Sequence, residues 1–88
     1  MNVDKEMLEK VNRVPSEAWF EISRWARETN KLSHSQRDTA DALGRLVTTG
    51  ATFSDEQVIQ GVRILDDARQ RGFLNRINPN PPWYPYRV

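Results

Sequence analysis

The sequence predicts an all-α protein, a compact three- to four-helix bundle with an extended Pro/aromatic C-terminal tail. Apolar residues recur at helical spacing in four successive segments, and serine or proline stands near the start of most of them. No alternating run of apolar and polar residues is long enough for a strand. Four of the five prolines fall in the last eleven residues. We therefore expect a helical domain at 1–77, with helices at roughly 3–13, 16–31, 35–49 and 54–72, and a tail at 78–88.

The first two predicted helices meet at Pro15, which closes the first and can open the second. The apolar side of the first helix consists of Val3, Met7, Leu8, Val11 and Val14. The stripe of the second consists of Ala18, Trp19, Ile22, Trp25, Ala26 and Thr29. Phe20 does not fit this stripe and is expected on the opposite side, between Arg24 and Arg27. A large aromatic residue there indicates either cover by the N-terminal helix or the tail, or a partner surface.

The third and fourth predicted helices carry the clearest end signals. Ser33 and Ser35 are cap candidates for the third helix, and Gly50 is its expected stop. Its inner face is expected to hold Ala40, Leu43, Leu46 and Val47, and on its outer face Asp41 is expected to pair with Arg37 and Arg45. The fourth helix opens on "SDEQ", a capping box in which Ser54 and Gln57 satisfy each other's backbone amides. It is expected to bury Val58, Val62, Leu65 and Ala68 and to stop at Gly72.

Composition narrows the function classes. The 88 residues contain no cysteine, which excludes disulfides and thiolate chemistry and fits a reducing compartment. No segment reads as a secretory signal or approaches the roughly 20 apolar residues of a membrane span. We therefore expect a cytoplasmic protein with no membrane partner. Thirteen Lys and Arg against twelve Asp and Glu is not the imbalance of a typical nucleic-acid binder.

No motif specifies a catalytic chemistry. His34 stands between two serines at a predicted helix start, where a solvated capping loop is the better interpretation than a nucleophile and base. Asp66 and Asp67 are adjacent on a helix and diverge by about 100°, which does not suit a shared metal or proton. The four glycines are isolated, so there is no phosphate-binding loop. We expect no enzymatic activity, no cofactor and no metal site.

Nucleic-acid binding is the alternative function. It would use the arginines of the fourth helix and the residues after it, namely Arg63, Arg69, Arg71 and Arg76. A helix-turn-helix is disfavoured because the link "VTTGATFS" is longer than the turn of that motif. The helix after the link also opens with Asp55 and Glu56, which would face DNA with like charges.

Protein binding is the leading prediction, and the tail "NPNPPWYPYRV" is its main reason. Prolines keep such a segment extended and make it lose little entropy on ordering, and aromatic residues are enriched at binding hot spots. It also contains "PPWY" and "PWYPYR", short patterns of the kind read by WW and SH3 domains. We expect the tail to pack on its own bundle, which does not exclude docking to another chain or exchange with a second copy to form a homodimer. The expected protein-binding residues are Phe20, Arg24, Arg27, Trp83, Tyr84, Tyr86 and Arg87.

The sequence therefore predicts a small non-enzymatic interaction module: an adaptor, an assembly subunit, or an inhibitor of the kind found among small phage and mobile-element products. Arginine supports this prediction, because its planar fork is favoured at interfaces, where it pairs with carboxylates and stacks on aromatic rings.

Overall fold

A computed structural model describes residues 3–73, and within them the chain forms four α-helices and no strand. The helices are α1 (Lys5–Asn12), α2 (Ser16–Thr29), α3 (His34–Thr49) and α4 (Asp55–Gln70). The all-α bundle is thereby confirmed. The C-terminal tail lies outside the described residues.

Capping residues explain where the helices begin. Asp4 accepts a hydrogen bond from the Met7 amide at 2.8 Å, so α1 begins after Asp4 rather than at residue 3. Ser33 forms a capping box, which starts α3 at His34 and leaves Ser35 inside the first turn. The predicted capping box at Ser54 is confirmed, with the Gln57 amide 3.1 Å from the Ser54 hydroxyl.

Residues in the left-handed conformation mark the helix ends. Asn30 has φ 57°, which ends α2 at Thr29 and not at residue 31 as predicted. Gly50 has φ 75° and caps α3 as expected. Gly72 has φ 99°, so α4 stops two residues before the predicted end. These conformations suit glycine and asparagine and would strain most other residues.

A single core gathers the apolar sides of all four helices. Its largest fully buried side chains are Trp19, Phe73, Ile22, Leu43, Ile64 and Leu65. Phe73 follows the Gly72 turn and meets Trp25 edge to face, with ring centroids 5.4 Å apart. The predicted core is confirmed in most positions. Thr29 is wrong, because it is exposed and its hydroxyl donates to the Trp25 carbonyl oxygen at 2.7 Å. Leu8 is also wrong, because it lies on the solvent side of α1 and is 38% exposed.

Glycine lets neighbouring helices approach closely at two positions. Gly61 of α4 faces α1 and α3, where an added Cβ would stand 3.1 Å from Val11 and 3.4 Å from Leu43. Gly44 of α3 faces α2, where an added Cβ would stand 2.7 Å from a ring carbon of Phe20. None of the helices within residues 3–73 combines the length and the apolar character that crossing a membrane requires.

Candidate protein-interaction surface

Three residues predicted to bind a partner lie along one edge of α2. Phe20, Arg24 and Arg27 are spaced i, i+4 and i+7, and at 100° per residue they fall within about 60° of one another around the helix. Residues so spaced are neighbours on a helix surface. The prediction from sequence therefore corresponds to one continuous stripe, which we call the α2 stripe.

Helix α3 covers part of Phe20, which corrects one expectation. The ring lies against Gly44, and the residue is half-buried rather than fully exposed opposite the core. From the sequence, the N-terminal helix or the tail was the expected cover for Phe20. In the structure α3 makes this contact. The reason is that Phe20 sits at the margin between the core side and the solvent side of α2, the margin that α3 packs against. Its role in protein binding stays a prediction.

Arg27 is held in place by an ion pair between helices. Its guanidinium donates to the Asp41 carboxylate of α3, and the two side chains are 59% and 18% exposed. This contact corrects the expected pairing of Asp41 with Arg37 and Arg45 along α3. Because α2 and α3 pack closely, Asp41 reaches a guanidinium on the neighbouring helix. The Arg37 guanidinium instead lies 2.8 Å from Nδ1 of His34.

Two further arginines on this surface have no such partner. Arg24 is exposed on α2, and Arg45 is exposed on α3 directly after Gly44. Neither forms a salt bridge with another residue of the described part of the chain. Phe20 is thus followed by Arg24 one turn along its own helix, and the glycine that its ring touches is followed by Arg45. Arg45 was not among the residues that the sequence assigned to binding.

The remaining exposed side of α2 is acidic. Glu17, Glu21 and Glu28 are spaced i, i+4 and i+11 and form a second edge beside the α2 stripe. The solvent side of this helix is therefore divided by charge. Basic residues lie toward α3, and acidic residues lie away from it.

The arginines of the alternative nucleic-acid site do not share a face of α4. Arg63 and Arg69 are exposed but lie about 120° apart around the helix. Arg71 follows the end of α4, about 12 Å along the axis from Arg63. Asp66 and Asp67 lie between them in the sequence. The Asp67 carboxylate accepts a hydrogen bond from the side-chain amide of Gln36 on α3 at 2.7 Å. Arg76 lies outside the described residues.

The residues considered for catalysis lie in ordinary helix surroundings. His34 is on the surface at the start of α3, with Nε2 3.6 Å from the Asp38 carboxylate. Asp66 accepts from Gln70 on the same helix at 3.1 Å. Within residues 3–73 no group of three or more acidic, histidine or cysteine side chains is placed to hold a metal ion.

A small groove lies between α3 and α4, apart from the α2 stripe. It has a volume of about 240 Å³ and is lined by Thr39, Ala42, Leu43, Ser54, Glu56, Gln57 and Gln60. Small-molecule sites usually measure roughly 300–1,000 Å³. The groove is below that range, and its lining contains no pair of groups arranged for acid and base chemistry.

Four of the predicted binding residues cannot be placed. Trp83, Tyr84, Tyr86 and Arg87 belong to the tail and lie outside the described residues. Of the residues that sequence reasoning did not assign, Gly44 and Arg45 complete the surface around Phe20. The sequence indicates Gly44 as a position of close helix packing, because it is a glycine in the middle of a predicted helix, but not as part of a binding surface.

Comparison with known proteins adds no relative: no protein-family model, no curated protein and no solved structure matches this chain. The α2 stripe and its surroundings are therefore interpreted from their own chemistry.

Proposed function

We propose that this protein is a non-enzymatic protein–protein interaction module that binds its partner through the α2 stripe and the adjoining part of α3. The supporting observation is the placement of Phe20. An aromatic ring is held against Gly44 by the packing of two helices, remains partly exposed, and has arginines along its own helix. Phenylalanine and arginine are both enriched at protein interfaces, and arginine is also frequent among hot-spot residues.

Preorganisation favours the same function. The Phe20 ring is seated on α3 before any partner arrives, and the Arg27 ion pair with Asp41 fixes the neighbouring guanidinium. Side chains that are already ordered lose less entropy when a partner binds. The tail residues Trp83, Tyr84, Tyr86 and Arg87 are proposed as a second contact, as an adaptor, assembly subunit or inhibitor would use them.

Nucleic-acid binding is less well supported by the same surface analysis. Phosphate recognition needs cations that follow the backbone, whereas the arginines of α4 are spread around the helix and separated by two aspartates. The α2 stripe also disfavours such a partner, because the acidic edge beside it would repel phosphate groups.

Photo-cross-linking in cells of the native host tests the proposal. A photoreactive phenylalanine analogue replaces Phe20, and the matched control carries it at Leu8, the large apolar residue of α1 that is 38% exposed. We expect a discrete protein adduct from position 20 that is absent from position 8. The Arg24→Glu substitution is expected to abolish the adduct.

Two results would contradict the proposal. One is an adduct that nuclease treatment removes, which would favour the nucleic-acid alternative. The other is equal cross-linking from both positions, which would show that the α2 stripe has no special role. A filter-binding titration with duplex DNA at about 50 mM and 200 mM salt completes the test, since phosphate binding weakens steeply as salt rises.

A further inference from the structure

We infer that the surface around Phe20 binds an acidic segment of a partner protein, in which an apolar side chain contacts the Phe20 ring and carboxylates pair with Arg24 and Arg45. This inference rests on the proposed function and specifies the chemistry of the partner. It depends on which charges of the surface are already paired within the protein and which are not.

The pairing leaves two arginines of this surface without an ion-pair partner. Arg27 forms an ion pair with Asp41, whose side chain is 18% exposed. Arg24 and Arg45 are exposed and form no salt bridge with any other residue between positions 3 and 73. An occupant that brings carboxylates therefore gains two charge-assisted hydrogen-bonding partners without breaking a contact of the free protein.

The two arginines come from different helices. Arg24 lies one turn from Phe20 along α2, about 6 Å along the axis. Arg45 is on the other helix, next to the glycine that the ring touches. A segment that crosses from α2 to α3 with one apolar residue between acidic residues matches an aromatic ring at the contact of the two helices and one arginine on each helix.

The acidic edge of α2 limits how far this occupant can extend. Glu17 and Glu21 lie beside the stripe and would repel a long polyanion laid along the helix. A short peptide segment avoids them by crossing from α2 toward α3, whereas a nucleic-acid backbone would continue over like charge. A short acidic segment is therefore the occupant that the charges fit.

The test uses the full-length protein, uniformly labelled with nitrogen-15, and three synthetic nonapeptides. The first has a central phenylalanine between alternating aspartate and glutamate residues. The second replaces each acid by its amide, and the third replaces the phenylalanine by alanine. Amide chemical shifts are followed during titration at low salt and again at about 1 M salt, where charges are screened within about 3 Å.

We expect the acidic phenylalanine peptide to shift the amides of Phe20, Arg24, Gly44 and Arg45, and to bind at least tenfold more tightly than either control peptide. Binding should weaken at high salt. The double variant Arg24→Gln with Arg45→Gln should lose the shifts, whereas Arg63→Gln on α4 should retain them. All three positions are exposed helix sites, so the variants should fold alike.

The outcomes separate this inference from the proposed function. Equal binding of the acidic and amide peptides at these residues would contradict the inference that the partner segment is acidic. It would not contradict the proposal that this surface binds a protein. Absence of shifts at these residues, or larger shifts at Arg63 and Arg69, would overturn the inference. The proposed function itself is decided by the cross-linking from position 20, which does not depend on the peptides.

Discussion

Substituting Gly44 by alanine tests the central contact of the proposed surface. The added methyl would lie 2.7 Å from one ring carbon of Phe20 and 2.9 Å from another. Carbon atoms in contact normally stand about 3.5 Å apart or more, so the ring has to move outward by about 0.8 Å. It is free to do so because Phe20 is half-buried at the edge of the helix pair.

The free-energy change combines two opposing effects of similar size. Complete burial of a phenylalanine is worth roughly 1.5–3 kcal/mol, so displacing a half-buried ring costs about 1 kcal/mol. Alanine in a helix interior is more favourable than glycine by about 1 kcal/mol. The net change in the free energy of unfolding should therefore be close to zero in the otherwise unchanged protein.

Removing the Phe20 ring should reveal the stabilisation that alanine in place of Gly44 brings to α3. In a Phe20→Ala background nothing opposes the methyl, and Gly44→Ala should stabilise the protein by about 1 kcal/mol. Urea unfolding of the four proteins in this double-mutant cycle measures the difference. Gly61→Ala is the matched control, because its methyl would meet Val11 at 3.1 Å and no part of Phe20. Its effect should be the same in both backgrounds.

Two results would refute this reasoning. Equal stabilisation by Gly44→Ala with and without the Phe20 ring would mean that the ring does not lie against α3. A loss of more than about 3 kcal/mol in the otherwise unchanged protein would mean that the ring is enclosed like a core residue, since overpacking of a tight core costs roughly that much. An enclosed ring would not be available to a partner.

Three further predictions concern the helix caps, the ion pair and the tail. Ser54→Ala should lower the free energy of unfolding by about 1 kcal/mol and the melting temperature by roughly 4–8 °C, whereas Ser35→Ala inside the first turn of α3 should change it by less than about 0.5 kcal/mol. A double-mutant cycle of Arg27→Ala and Asp41→Ala should give a coupling of about 0.2–1 kcal/mol that shrinks in high salt; a coupling insensitive to salt would contradict a solvent-screened pair. Deleting residues 79–88 should lower the melting temperature by several degrees, because burying an aromatic residue of the tail on the bundle would be worth a few kcal/mol. An unchanged melting temperature would favour a tail that serves only as a ligand.

The sequence by itself determined the elements of this protein. Helical periodicity and caps are local properties, decided by residues three or four positions apart, so the capping box at Ser54 and the stop at Gly50 could be predicted without any knowledge of the fold. The core positions of α2 followed from the same spacing. The end of α2 was predicted two residues too late, although asparagine tolerates the left-handed conformation in which Asn30 ends this helix.

Only the tertiary structure decided what the surface looks like. Whether Phe20 is free or covered depends on which helix packs beside it, and this depends on a glycine 24 positions further along the chain. The partner of Asp41 was likewise chosen by packing, since Arg27 on α2 binds it in place of the arginines of its own helix. Contacts of this kind join residues distant in sequence. No local spacing rule encodes them, so the pattern predicted the α2 stripe while the packing of α3 determined which of its charges are left for a partner.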